Sequence, residues 1–140
     1  MQIKVKAKIH PTEDLDKIKN AVNNLFPKIE FEENNDYLVG KSSNPEDLEK
    51  LKNQLGLQAI RDSARRVLQR GKENNSLRFE INRQAATVTK VSFTEGETPL
   101  GPIEVEIQSK DIQLLIDYLA PKTHEGNAVK KVKLEELKSV

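Results

Sequence analysis

The sequence contains no cysteine and no tryptophan, and aromatic residues make up only 4% of it. The missing cysteines exclude disulfide bonds, thiolate nucleophiles and cysteine-ligated metal sites, and they fit a reducing cytoplasm. The longest purely aliphatic run in the last predicted helix, Leu114–Ile116, is far shorter than the ~20 residues that span a membrane. No signal-peptide pattern follows Met1. We therefore expect a cytoplasmic protein without a membrane partner.

Charged residues, in contrast, are plentiful and almost balanced. They make up 32% of the chain, and 23 Lys and Arg face 22 Asp and Glu, for a net charge of +1. A chain of 140 residues is long enough to bury one core and too short for two independent ones. We expect residues 1–126 to form a single domain, and residues 127–140 to form a polar tail that is either a short helix or mobile.

Hydrophobic periodicity predicts most of the secondary structure. A period of 3.6 residues, together with capping residues, predicts helices that begin at Thr12, Asn44 and Ser109, and another that ends at Gly71. Alternation of apolar and polar residues predicts strands over residues 3–9, 29–33, 37–40, 77–82 and 103–107.

A change of parity between Val88 and Val91 predicts a further strand with a bulge over residues 85–94. The resulting order is β-α-β-β-α-α-β-β-β-α, followed by the tail. Hairpin-linked strands with helices between them predict an α+β fold, in which a mostly antiparallel sheet carries helices on one face in a split βαβ-like arrangement.

The helix that ends at Gly71 is the most basic segment of the chain. Four arginines and one aspartate lie between Arg61 and Arg70. An apolar stripe of ~100° predicts that one face of the helix packs against the core; its members are Leu57, Ile60, Ala64, Val67 and Leu68. The remaining charge either keeps the helix solvated or contacts phosphate. The candidate nucleic-acid-binding residues are Arg61, Arg65, Arg66, Arg70 and Arg83.

No other motif supplies a complete chemical site. The segment Gly96–Gly101 has the glycine spacing of a phosphate-binding loop, but Pro102 and Ile103 replace the required Lys and Ser/Thr. The two histidines, His10 and His124, belong to no metal-binding pattern, and no set of nucleophile, base and orienting residue is recognisable. We therefore predict no catalytic residue, no cofactor and no metal.

The polar positions of the predicted strands are a poor platform for single-stranded RNA. They combine Lys4, Lys6 and Lys8 with glutamates of other strands, without interleaved aromatic residues. Proteins that bind single strands usually stack bases on aromatic side chains in a positive field. RNA binding by this chain would instead depend on charge, and its affinity would fall steeply with salt.

Several ordered segments together carry a family resemblance. The segments are Pro11–Asp14, Arg61–Arg66, Asn82–Thr87 with Lys90–Phe93, Gly101–Ile103, and Leu119–Thr123 with Gly126. They resemble an archaeal family, uncharacterised protein family number 201, over nearly everything before the tail. The resemblance implies homodimers with a fold similar to the large-subunit ribosomal protein that binds 5S rRNA, and it implies no established activity.

These observations lead to one preferred hypothesis and two alternatives. We predict a non-catalytic, self-associating protein that contacts another macromolecule. The first alternative is an RNA-binding protein that uses the arginine-bearing helix. The second and weaker alternative is an enzyme with an unrecognised site.

Overall fold

The computed structural model describes residues 1–94 and 100–140. The first six of its strands form one antiparallel sheet in the order β2-β3-β1-β6-β5-β4, and the last two form a separate hairpin. The strands are β1 Gln2–Lys8, β2 Phe31–Asn34, β3 Tyr37–Ser42, β4 Lys72–Glu73, β5 Ser76–Ile81, β6 Ile103–Gln108, β7 Thr123–His124 and β8 Asn127–Ala128.

Within the described residues, six α-helices accompany the sheet, and a 3-10 turn, Pro45–Leu48, leads into the second of them. None of the described helices is long and apolar enough to cross a membrane. The helices are α1 Leu15–Leu25, α2 Glu49–Leu57, α3 Arg61–Arg70, α4 Arg83–Ala86, α5 Ile112–Leu119 and α6 Leu134–Leu137.

Strand register separates an apolar sheet face from a charged one. Ile3 pairs with Ile107, which pairs in turn with Leu77, and all three are buried. Successive side chains of a strand point to opposite faces, so the neighbouring positions carry charge on the other face. The apolar face packs into one core with residues of α1, α2, α3 and α5. The predicted α+β class and its mostly antiparallel sheet are confirmed.

Aspartates, rather than the hydroxyl residues that the sequence indicated, cap two of the helices. The Asp14 carboxylate accepts the Asp16 N–H at 3.0 Å, so α1 begins three residues after Thr12. The Asp111 carboxylate likewise accepts the Leu114 N–H at 3.0 Å at the start of α5. A carboxylate both accepts the free N–H groups and complements the positive end of the helix.

The predicted bulged strand over residues 85–94 is wrong. The Asn82 side chain accepts the Ala85 N–H at 2.9 Å and begins the short helix α4. The chain then turns through Thr89, whose φ of 57° is left-handed, and returns to the sheet only as a bridge between Phe93 and Ile81. The parity change at Val88 therefore reflects a capped helical turn, since the Asn82 cap outweighs the strand preference of the valines.

The sequence predicted Leu57 to be part of the buried stripe of the arginine helix, and this prediction is wrong. It is the last residue of α2, and its exposed fraction is 79%. Ala59, with a φ of 56°, reverses the chain before α3 begins. The stripe of α3 that packs fully against the core consists of Ala64 and Leu68.

Gly71 ends α3 as predicted, although its role is not conformational freedom. Its φ is −86°, which any residue can adopt. A Cβ atom at this position would lie 1.9 Å from the Arg78 carbonyl oxygen, so only glycine allows the end of α3 to approach β5 this closely.

The last residues of the chain contribute to the core. Val132 and Leu137 are buried, and Leu137 lies in α6. The division of the chain at residue 126 stays a prediction.

Candidate nucleic-acid interface

A surface groove of about 650 Å³ concentrates positive charge along α3. Among the described residues, its lining contains four cationic side chains and a single carboxylate. We call this surface the basic groove; it is lined by Asp62, Arg65, Arg66, Gln69, Arg70, Lys122 and Thr123.

The helical period explains why these residues share one surface. Ala64 and Leu68 face the core. Asp62, Arg66 and Arg70 are each two positions from one of them and therefore lie on the outer side of α3. The hairpin strand β7 is joined to this side by a hydrogen bond, in which the Thr123 hydroxyl donates to the Asp62 carboxylate at 2.7 Å. The groove thus combines α3 with the segment that follows α5.

Arg65 forms a structural wall of the basic groove. Its Nη1 lies 2.7 Å from the Asp117 carboxylate and donates to the Ala120 carbonyl at 3.1 Å. Its side chain is 15% exposed. Asp117 lies in α5 and Ala120 directly follows it, so the Arg65 guanidinium connects α3 to α5. It is therefore only partly available to a ligand.

Arg66 and Lys122 are the groove's available cations. Both residues are exposed, and neither side chain makes a hydrogen bond or ion pair within residues 1–94 and 100–140. Asp62 lies four residues before Arg66, but it bonds to Thr123 instead. Arg70 is also exposed; it lines both the basic groove and a second pocket on the charged sheet face.

Arg61 lies away from the groove, against α2. A Cβ atom on Gly56 would lie 2.7 Å from its Nη2, so the guanidinium covers that glycine. Burial, and then the positive charges of Arg61 and Lys131, lower the pKa of Lys52. Arg61 is therefore part of a different basic cluster.

Arg83 is buried, with an exposed fraction of 7%. Its Nη1 donates to both oxygens of the Glu13 carboxylate, at 3.0 and 3.1 Å, and its Nε donates to the Gly101 carbonyl at 3.0 Å. Of the five arginines that the sequence analysis selected, the structure thus brings together Arg65, Arg66 and Arg70.

The charged sheet face is a weaker place for an anion. Lys6 lies 3.9 Å from the Glu104 carboxylate, and Arg78 lies 3.3 Å from the Glu106 carboxylate. The Lys6 ammonium also lies 5.0 Å from the centre of the Tyr37 ring, so a cation already occupies that aromatic face. Cations and carboxylates alternate across this face, so it offers little net field and no free aromatic platform.

Sequence reasoning missed the groove residues Lys122 and Thr123. The signal was present, because Leu119–Thr123 is one of the segments that carry the family resemblance. Their position beside α3 nevertheless depends on tertiary packing. The glycine-spaced segment falls mainly on residues 96–99, outside the described residues. Within the described ranges, no group of three or more His, Cys, Asp and Glu residues could hold a metal ion.

The fold and the basic groove define a small α+β protein with a basic helical surface, and a family model described as RNA binding matches residues 2–109. The chain belongs to the archaeal UPF0201 family. A UPF0201 protein of Thermococcus onnurineus is 40% identical over 129 residues, which cover 89% of this chain and 95% of that relative. A UPF0201 protein of Metallosphaera sedula is 41% identical over 130 residues, which cover 89% and 91%.

The fold also has a counterpart among solved structures. The crystal structure of the UPF0201 protein from Methanococcus jannaschii has a TM-score of 0.81 and 37% sequence identity, and the match covers 93% of this chain and all of that one. The family expected from the sequence segments is confirmed. The likeness to the 5S-rRNA-binding ribosomal protein stays a prediction.

Proposed function

We propose that this protein binds RNA through the basic groove. The observation that carries the proposal is the pair of exposed, unpaired cations, Arg66 and Lys122, in a groove where cations outnumber carboxylates. The match of residues 2–109 to a family model described as RNA binding supports the same partner. Among the candidate residues of the sequence analysis, Arg65, Arg66 and Arg70 belong to this interface.

The chemistry of the groove favours the phosphate backbone over unstacked bases. Its described lining offers guanidinium, ammonium, amide and hydroxyl groups, and it contains no aromatic ring. Proteins that bind single strands depend on stacking, whereas double-stranded RNA is recognised by its shape and by contacts to phosphates and 2′-hydroxyls. We therefore expect a preference for duplex or tightly folded RNA, with little dependence on sequence.

A non-catalytic role is part of this proposal. Asp62, the single carboxylate in the described lining of the groove, accepts a hydrogen bond from the Thr123 hydroxyl, and the partly exposed Arg65 is paired with Asp117. The groups that remain act by charge and by donating hydrogen bonds. Self-association and a cytoplasmic location are also proposals, and a monomeric mass at micromolar concentration would contradict the first.

Fluorescence anisotropy with matched RNAs tests the proposal. The full chain is titrated with a labelled RNA duplex and with one of its single strands, over a series of salt concentrations. Two or three phosphate contacts predict that log K falls with log salt with a slope of about −2 to −3, and that the duplex binds more tightly. Salt-insensitive binding, or no binding at low salt, would contradict RNA binding through this groove.

A further inference from the structure

A second group of cations lies beside the N-terminal end of α3. Lys52 precedes Gly56 by four residues in α2, so these two residues share one face of that helix. The Arg61 guanidinium covers Gly56, because a Cβ atom on that glycine would lie 2.7 Å from Arg61 Nη2. Lys52 and Arg61 therefore contribute two positive charges to the same surface.

Lys131 adds a third positive charge at this surface. After burial, the charges of Arg61 and then of Lys131 are the largest causes that lower the pKa of Lys52. The Glu49 carboxylate acts on Lys52 in the opposite direction and with a smaller effect. We call this surface the α2–α3 cluster; it consists of Lys52, Arg61 and Lys131.

The cations of the α2–α3 cluster are available to an anion. In the described part of the chain, none of the three side chains makes a hydrogen bond or an ion pair. The Lys52 ammonium lies 5.3 Å from the centre of the Tyr118 ring, and this cation–π contact favours one position for the charge. Because like charges repel one another, a bound anion would relieve the repulsion within the cluster.

The chain after α5 connects the α2–α3 cluster to the basic groove. Lys122 lines the groove, and the β7–β8 hairpin then reverses the chain, so that the Val129 N–H donates to the Lys122 carbonyl at 2.8 Å. Lys131 follows Val129 by two residues, which span at most ~7 Å. Arg61 likewise precedes the groove residue Arg65 by one turn on the same side of α3. The two basic surfaces therefore adjoin.

We propose that the α2–α3 cluster is a second phosphate-binding surface for the RNA duplex that occupies the basic groove. This inference rests on the proposed function, and it extends the RNA footprint past the N-terminal end of α3. A polyanion fits the arrangement better than a single phosphate, because adjoining surfaces each offer unpaired cations. An RNA duplex carries phosphates along both of its strands, so one molecule can contact both surfaces.

Fluorescence anisotropy with the RNA duplex at several salt concentrations tests the inference. Arg61→Gln with Lys131→Gln removes two cations from the cluster. We expect this variant of the full chain to bind the duplex about three- to tenfold more weakly at low salt. The magnitude of its salt slope should fall by about 1 to 2, since each phosphate contact contributes about 1.

Two further variants separate position from net charge and from folding. Lys17→Gln with Lys28→Gln removes two exposed cations in and beside α1, and it should change duplex affinity less than about twofold. Lys131→Glu alters an exposed position and leaves the half-buried Arg61 in place. It should weaken duplex binding with little change in the free energy of unfolding.

The outcomes distinguish this inference from the proposed function. Unchanged duplex affinity in both cluster variants, or equal weakening by the α1 variant, would overturn the second surface. RNA binding through the groove would then still stand if Arg66→Gln with Lys122→Gln weakened binding. Absence of duplex binding by the unsubstituted chain at low salt would overturn both proposals.

Discussion

The environments of Arg83 and Arg66 show how differently one chain uses the same side chain. Arg83 is 7% exposed and forms a two-oxygen ion pair with Glu13, whereas Arg66 is exposed and unpaired within the described residues. A buried cation must be paired, while an exposed one retains its hydration until a ligand replaces it. The first guanidinium therefore contributes to the fold, and the second is available to an anion.

Arg65 is intermediate between these two cases. It lies in the basic groove but is bound to Asp117 and to the Ala120 carbonyl. Sequence position does not separate the three, since Arg65 and Arg66 are adjacent. One step along a helix rotates the side chain by ~100°, which takes it from a neighbouring helix into solvent.

The largest predicted effect is the loss of stability on replacing the buried arginine, Arg83. Arg83→Met removes the ion-pair partner of the Glu13 carboxylate, which is 12% exposed and would keep the His10 N–H as a donor, so we expect the free energy of unfolding to fall by about 3–5 kcal/mol. Urea denaturation measures the change. The double variant Glu13→Gln with Arg83→Met removes both charges, and it should lose less than the sum of the two single variants. A loss below about 1 kcal/mol for Arg83→Met would contradict its structural role.

Arg65→Met should give an intermediate loss of about 1–2 kcal/mol, because its ion pair with Asp117 is only partly shielded from water. The same denaturation experiment measures it, with Asp117→Asn as the control for the partner. If Arg65→Met lowers the free energy of unfolding as much as Arg83→Met does, burial does not determine how much each arginine contributes to stability.

Arg66→Met should leave the free energy of unfolding within about 0.5 kcal/mol, since the side chain is exposed. We expect it instead to weaken duplex RNA binding several-fold and to reduce the magnitude of the salt slope by about 1. Anisotropy at several salt concentrations measures both quantities. A large loss of stability with unchanged RNA affinity would show that Arg66 contributes to the fold and not to RNA binding.

The smallest effect is expected on the charged sheet face. Arg78 is 70% exposed and pairs with Glu106, and such surface pairs contribute about 0–1 kcal/mol. Arg78→Met should therefore change neither stability nor RNA affinity appreciably. If Arg78→Met lowered RNA affinity more than Arg66→Met does, the result would indicate that RNA contacts the sheet face and not the groove.

The sequence predicted well those features that depend on local periodicity. β1 and β6 follow from strict alternation, and the end of α3 follows from Gly71. It failed where one side chain decided the local structure, because the Asn82 cap converts a valine-rich stretch into a helix and a turn. The roles of Arg83 and Arg66 were likewise unpredictable, since Glu13 lies 70 residues from Arg83. Ion pairs at such separation become visible only in the folded chain.

The basic groove itself was half predicted. Arg65, Arg66 and Arg70 stood out as a cluster, whereas Lys122 comes from the segment after α5 and carries no local signature of phosphate binding. Long-range packing of α3 against α5 places it there.

The most direct test of RNA binding through the basic groove compares two double variants with the same loss of charge. Arg66→Gln with Lys122→Gln removes two cations from the groove, and Lys4→Gln with Lys41→Gln removes two exposed, register-paired cations from the sheet face. The measurement is the affinity for one RNA duplex at low salt. We predict that the groove variant binds about tenfold more weakly, while the sheet variant changes less than about threefold. Equal weakening of both, or a larger effect of the sheet variant, would contradict the assignment.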